Sequence, residues 1–321
     1  MSKKVQLSNN VQIEINATPF ASGGEGDLYH INSPTSFKGQ VLKVYKQEKQ
    51  TKQREDKLNF LVKNPPALKQ TGEHNSVIWP THIAYENRKF IGYTMPIANG
   101  IKLELLCHPK IPKGIGDDWM RFDFSTPGSH DLRKKICFNI AVAISQIHSF
   151  GNYVLVDLKP DNIIIQPNGR ISIIDVDSTE VIQSNKLLFP AQVITPEYTP
   201  PEYYSTIKKL ENSLIEETWD RFSLGIIFYR LLHGIHPFTG SLKSPFENIT
   251  NIGEIIEKGF FPHGSNKSKF KVIPKPHEHF NKLEGSFKLL FLNAFEKGHF
   301  APHIRPSADD WCRCLSPDPG I

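Results

Sequence analysis

An α+β fold in two lobes, the first β-rich with one helix and the second mainly helical, is predicted by three observations. The chain has 321 residues, long for one compact domain and comfortable for two. Through the first ninety or so residues the apolar pattern has the period of short strands, broken by one charged helical stretch. After Asn99 and Gly100 helical periodicity dominates. The lobes are therefore expected at 1–98 and 99–321. Hydrophobic residues at 39% and charged residues at 22% fit a chain that buries a core.

Taken in order, VQIEIN (11–16) alternates as a strand does, and Val41 to Tyr45 is an apolar strand around one lysine, Lys43. A charged helix runs from about Thr51 to Lys63. It must stop before Asn64, Pro65 and Pro66, because the residue preceding proline is disfavoured in the helical region. Lys89 to Met95 is another short strand. A Pro- and Gly-rich stretch (108–128) then leads into a helix with Leu132, Ile136, Ile140, Ala143 and Ile147 on one face. Further helices are expected at Thr218 to His233, Ile252 to Lys258, Ser286 to Lys297 and Ser307 to Leu315, with Phe222, Leu224, Ile226, Ile227 and Phe228 in the core. Residues 265–276 are polar, lysine-bearing and closed by proline, and read as a surface loop. Most of the 13 histidines, including His148, His233 and His236, read as packing or surface residues.

Several function classes are set aside. With 38 Lys and Arg against 33 Asp and Glu, the net charge of +5 falls short of a nucleic-acid footprint. No stretch approaches the ~18 apolar residues needed to span a bilayer, and MSKKVQLSNN lacks the apolar core of a signal peptide, so a cytoplasmic protein without membrane contact is expected. Four cysteines are too few for a disulfide scaffold. Cys312 and Cys314 with His303 lack a second cysteine pair and read as incidental rather than as a metal site.

The chemistry concentrates in a few segments. Ala21, Ser22, Gly23, Gly24, Glu25, Gly26, Asp27 and Leu28 form a glycine turn, a plain hairpin turn or one whose backbone N–H groups approach a polyphosphate. Seventeen residues after Gly26, Lys43 stands alone among apolar neighbours, where it must snorkel to water or meet an anion. In YVLVDLKPDNIII (153–165), Asp157, Lys159 and Asn162 interrupt an apolar run, and such groups are costly unless they face a cleft. Thirteen residues after Asn162, the strand ISIID ends on Asp175. An amide oxygen and a carboxylate make a hard-oxygen pair suited to Mg²⁺.

In this order the features resemble the protein-kinase signature set. TPEYTPPE (195–202) resembles the peptide-binding loop and the closing Ala-Pro-Glu of Ser/Thr kinases, with Glu202 in the last place. Asp220 in WDRFSLG is similar to the buried aspartate of the long central helix, and Arg305 in HIRPSA to the arginine that pairs with that glutamate. LVKNPP, GYTMPIANG, IDVDSTEV, FPHG and RPSADDW narrow the likeness to a YegI-like bacterial branch of eukaryotic-like (Hanks-type) Ser/Thr kinases.

The resemblance implies a bilobal kinase fold using ATP with Mg²⁺, or Mn²⁺ in its place, on a protein substrate. Asp157 would orient the substrate hydroxyl, Lys159 would neutralise the transferring phosphate, and Thr195 would line the peptide loop; Asn162 and Asp175 would hold the metal. Ala21 to Gly26, Leu28 and Val41 would surround the nucleotide, Lys43 would grip its phosphates, and Met95, Ile97 and Ala98 would form the hinge, with Pro96 unable to donate an N–H. Glu55, sharing a face with Leu58 and Val62, is the expected helix partner of Lys43, and Asp56 is its rival. Family neighbourhoods of this kind imply a PPM-type phosphatase and a von Willebrand A protein as partners.

Departures from the family pattern are Ala21 for the first glycine, Leu155 and Val156 for the His-Arg before the catalytic aspartate, and Asp177 in the third place of the metal triplet, read as a turn or capping residue. Val156 supplies no cation to a phosphorylated activation segment. Two alternatives stay open: a pseudokinase acting as a nucleotide-responsive docking module, and a small-molecule phosphotransferase.

Overall fold

The computed structural model describes residues 2–67, 74–205 and 214–316. Contacts group the chain into two units: residues up to Asn99 together with Ser172–Asp177, and Gly100–Ile171 together with the chain from Ser178 onward.

In the first unit the strands are β1 (Ser2–Leu7), β2 (Gln12–Asn16), β3 (Ala21–Ser22), β4 (Gly26–Ser33), β5 (Gln40–Tyr45), β6 (His82–Glu86) and β7 (Lys89–Pro96). They pair in the order β2-β1-β6-β7-β5-β4-β3, and β2 also pairs with β4, Ile15 opposite Ile31, so six strands close on themselves. Closure removes the exposed edges an open sheet would leave. Alternating residues point inward, and Val5, Leu7, Ile13, Ile15, Leu42, Ala84 and Ile91 pack with Phe37 as one core. β1 carries no clear signal in the sequence: two lysines precede Val5 and Leu7, its only inward residues. The helix α1 (Lys52–Lys63) begins where Thr51 Oγ1 accepts the Arg54 N–H at 3.3 Å and ends ahead of the two prolines. The segment leading to Asp175 is tied to residues 76–78, with Ile78 N–H to Ile173 O at 2.8 Å and Ile173 N–H to Ser76 O at 2.9 Å.

The second unit contains β8 (Ile101–Lys102), α2 (Ser129–His148), β9 (Tyr153–Val154), β10 (Ile163–Ile165), the first residue of β11 (Ile171–Ile173), β12 (Glu180–Gln183), β13 (Lys186–Phe189), α3 (Pro201–Ser205), α4 (Thr218–His233), β14 (Ser241–Leu242), α5 (Ile252–Glu257), β15 (Phe270–Val272), α6 (Gly285–Leu292), α7 (Gly298–Phe300) and α8 (Ala308–Leu315). Helix α4 is buried everywhere except at Thr218, Arg221 and Arg230, the mark of a helix surrounded by its own core. It stops at Gly234, whose φ of +69° suits the left-handed position after a helix. The helix expected over Ser286 to Lys297 is α6 continued by a π-helical turn, Asn293–Lys297.

One expectation is corrected. Residues 265–276 are not simply a surface loop: Phe270 is buried and β15 pairs with β14, Leu242 opposite Phe270. One buried apolar residue among lysines, with Val272 exposed, is enough to anchor the strand and too little to announce it. Among the described residues no helix is long and apolar enough to cross a membrane.

Candidate active site

In the first unit the glycine turn joins β3 to β4. Gly26 is required by packing, since a Cβ there would lie 2.4 Å from Val44 O. At Gly24 a Cβ would meet nothing within 4 Å, and at Gly23 only Gly26 O at 3.8 Å, so the front of the turn is open to a ligand, as a phosphate-cradling role needs. Ala21 and Ser22 are exposed on β3, and Ser22 Oγ donates to Asp27 at 2.6 Å.

Lys43 sits on β5 between Leu28 of β4 and Tyr93 of β7. Gly92 allows this close strand approach, since a Cβ there would fall 1.9 Å from Lys43 O. The lysine does not snorkel: it is 6% exposed. Its Nζ donates to Asp175 Oδ1 at 3.0 Å and to both Asp177 oxygens at 3.0 and 3.1 Å. Burial alone would lower the ammonium pKa, but Asp177 and then Asp175 more than offset it and hold it above its ordinary range. Burial would likewise raise Asp177, and Lys43 with the Tyr45 hydroxyl keeps it below the usual carboxylate range.

Two expectations fail here. Glu55 does not meet Lys43; it pairs with Lys52 at 3.1 Å and accepts from the Tyr85 hydroxyl at 2.9 Å. Asp56, the rival, pairs with Lys52 at 3.0 Å. The helix instead turns Arg54, Lys57, Leu58 and Leu61 inward, because the buried stripe begins one residue earlier than the apolar residues alone suggest. Asp177 does lie in a turn, the single 3-10 turn Val176–Ser178, but its side chain is not spent on that turn: it is 4% exposed and is the main carboxylate of Lys43. Arg54 is 5% exposed and grips Glu25 of the glycine turn with two nitrogens, at 2.8 and 3.0 Å.

Other expected nucleotide residues fall on β5 and β7. Val41 and Met95 are buried opposite one another. Ile97 spends its N–H on Gly39 O at 2.9 Å, which removes it from the donors and leaves Ala98.

In the second unit, Asp157 follows Val156, whose φ of +63° is unusual for a β-branched residue. Asp220, fully buried, holds that backbone by accepting the N–H of Leu155 at 2.7 Å and of Val156 at 2.8 Å. Trp219 Nε1 donates to Val156 O at 3.1 Å, and His148 Nε2 donates to Asp220 at 3.0 Å. On this support Asp157, Lys159 and Thr195 form a triangle: Thr195 Oγ1 donates to Asp157 Oδ1 at 2.6 Å, and Lys159 Nζ donates to Asp157 Oδ2 and Thr195 Oγ1, both at 2.8 Å. Asn162 Nδ2 donates to Asp157 O at 2.9 Å and Oδ2 at 3.2 Å, which leaves its amide oxygen as a hard donor. Asp175 keeps a carboxylate with 44% side-chain exposure. Both therefore have the chemistry a divalent cation takes, each within its own unit.

A pocket of about 580 Å³ opens beside the triangle, lined by Lys159, Asn162, Thr195, Glu197, Tyr198 and Arg230 among others. Its loop is tied down by Thr199 Oγ1 to Thr195 O at 2.9 Å and Ser223 Oγ to Tyr198 O at 2.8 Å. Behind it Arg305, 1% exposed, forms a two-bond pair with Glu202 at 2.7 and 2.6 Å.

Sequence reasoning missed Arg54, Tyr45, Trp219 and His148. A charged residue at the i−4 position from Leu58, and a tryptophan beside Asp220, were the available signals.

The family described as "Protein kinase domain" matches residues 21–297, and the chain belongs to it. It is 25% identical to protein kinase YegI of Escherichia coli K12 over 91% of this chain and 43% of that protein. It is 31% identical to citron rho-interacting kinase of Rattus norvegicus over 37% of this chain and 6% of that protein. Against serine/threonine-protein kinase ROP17 of Toxoplasma gondii the identity is 24% over 72% of this chain and 39% of that protein. The chain thus spans less than half the length of each of these relatives. Membership of the family implies use of ATP and a divalent metal.

Proposed function

We propose that this chain is an ATP-dependent protein serine/threonine kinase. The observation that carries the reading is the Thr195–Asp157–Lys159 triangle: a hydroxyl already donates to Asp157 while an ammonium donates to the same hydroxyl oxygen. A substrate Ser or Thr hydroxyl reaching Asp157 would have the same two needs, a base for its proton and a cation beside the oxygen as charge develops. As the oxygen bonds to the γ-phosphorus and the bond to the ADP oxygen breaks, the proton passes to Asp157. Lys159 faces the transferring charge, Lys43 the α and β phosphates, and Ala98 supplies the hinge N–H. Asn162 and Asp175 would hold Mg²⁺, or Mn²⁺ in its place, whose contribution is to neutralise phosphate charge. A protein is favoured over a small molecule because Thr195, Glu197 and Tyr198 of the loop 195–202, anchored by Arg305, form one side of the pocket. A PPM-type phosphatase and a von Willebrand A protein are proposed as partners on family resemblance.

Incubation with labelled ATP, Mg²⁺ and a generic protein substrate, beside Asp157→Ala, tests the reading. Label on Ser or Thr that disappears in the variant supports it; label on Tyr overturns the specificity. Nucleotide binding without any transfer would make the chain a docking module, and transfer to small hydroxyl compounds alone a small-molecule phosphotransferase.

A further inference from the structure

We infer that Arg54 is a positioning residue for the nucleotide, tying the glycine turn to the carboxylate that orients Lys43. The inference rests on reading Lys43 as the lysine that grips phosphate. Five charged groups of the first unit alternate in sign: Glu25, Arg54, Asp177, Lys43 and Asp175. Arg54 makes the two-nitrogen bond to Glu25, and its nearest nitrogen lies 4.0 Å from Asp177 Oδ2. Asp177 in turn takes Lys43 through both oxygens. The guanidinium lies over Tyr45, its central carbon 4.5 Å from the ring centroid, and the Tyr45 hydroxyl donates to Asp177. One cation on α1 thus touches the partner of the turn and faces the partner of the lysine.

The geometry selects arginine. A planar fork satisfies both Glu25 oxygens and still presents charge to a second carboxylate, which a single ammonium cannot do. The first turn of α1 is fixed by its Thr51 cap, so Arg54 is anchored. Displacing Glu25 would free the turn, and displacing Arg54 would leave Asp177 with one cation fewer, so Lys43 would lose its fixed orientation.

The test uses Glu25→Gln, Arg54→Lys and the double variant, with ATP·Mg²⁺ affinity read by calorimetry and kinetics read as KM for ATP, KM for protein substrate and kcat. Glu25 has 25% side-chain exposure, so its variant folds even if substitution at the buried Arg54 does not. Each single change should weaken ATP binding about threefold to tenfold and raise KM for ATP alike, with KM for protein substrate unmoved. The double variant should be no worse than the poorer single one, because both cut one link. Independent losses that multiply, or unaltered ATP affinity in a folded Glu25→Gln protein, would overturn the inference. Lys43→Ala is run alongside. If it destroys ATP binding while the Glu25 and Arg54 variants bind ATP as tightly as the parent, the inference alone falls; if it leaves ATP binding at the parental level, the reading of the site falls with it.

Discussion

The two units handle their functional carboxylates in opposite ways. In the first, Asp177 is sealed in and its charge is met by groups that are themselves buried, Lys43 and Tyr45. In the second, Asp157 is met by Lys159 and Thr195, both of which line an open pocket. Fixed partners set the position of a charge; partners at a pocket wall leave it able to exchange one hydroxyl for another. The first arrangement suits orientation and the second suits proton transfer, and substitutions should separate them.

The largest effect is expected at the pocket wall. Asp157→Ala removes the proposed base and should lower kcat by about 10²–10⁴-fold with the melting temperature close to that of the parent. Asp175→Ala should cost a comparable share of activity, because it removes a proposed metal ligand from a side chain with 44% exposure. Equal turnover by parent and Asp175→Ala at saturating Mg²⁺ and ATP would erase the distinction between the units.

Asp177→Ala should instead cost stability as well as nucleotide affinity. It strands Lys43 in a buried position with Asp175 alone, and breaking a buried pair costs ~3–5 kcal/mol. Glu55→Gln, on the same unit but bonded to Lys52 and Tyr85 rather than to Lys43, should change the melting temperature and ATP affinity little. A melt of Asp177→Ala that overlays the parent, or a loss in Glu55→Gln as large, would show that the lysine depends on the helix after all.

That pair of variants also marks where the sequence was legible. Residues close in the chain were readable: Asp157, Lys159 and Asn162 lie within six positions, and a short loop leaves few ways to arrange them. Landmarks far apart, such as Glu202 and Arg305, were readable only through family resemblance. The partner of Lys43 was not legible, because it depends on which face α1 turns inward. Leu58 and Val62 pointed to Glu55, whereas the fold buries Arg54 and leaves Val62 half exposed. Nothing local could reveal that the carboxylate would come from residue 177, whose neighbour Asp175 carries a φ of +59°. In the barrel, β1 was silent for a related reason: its pairing with β2 and β6 decides its place more than its own two apolar residues do.

A smaller loss is expected from Arg305→Ala. The guanidinium is fully buried, but the Glu202 side chain is 26% exposed, so water relieves part of the stranded charge. The cost should fall toward the lower end of ~3–5 kcal/mol. Activity should fall too, because α3 and the loop at Thr195 lose their anchor. A melt identical to the parent would mean that this pair, unlike Lys43 and Asp177, contributes nothing to the fold.

The smallest effect concerns a second-unit group that, like Asp177, has only fixed partners. His277 is fully buried, with Nε2 2.9 Å from Thr239 O and Nδ1 2.6 Å from the Tyr229 hydroxyl. The carbonyl only accepts, so Nε2 carries the hydrogen and Nδ1 must accept from Tyr229, which itself accepts from His263 Nε2 at 2.9 Å. A second proton on His277 would oppose the tyrosine hydrogen. Burial lowers His277 to about 4 and His263 to about 3, against about 6.5 in the unfolded chain. The unfolded state therefore binds more protons below pH ~6.5, so the stabilisation is complete above that pH and is lost as the pH falls toward the folded values. At pH ~5 the loss for His277 is on the order of 1–2 kcal/mol. His277→Asn keeps a donor and an acceptor but does not titrate, so it should melt lower at neutral pH yet lose less between pH ~6.5 and ~4.5. Thermal melts of both proteins across that range check this: parallel slopes would show that His277 is not the group whose protonation opens the second unit.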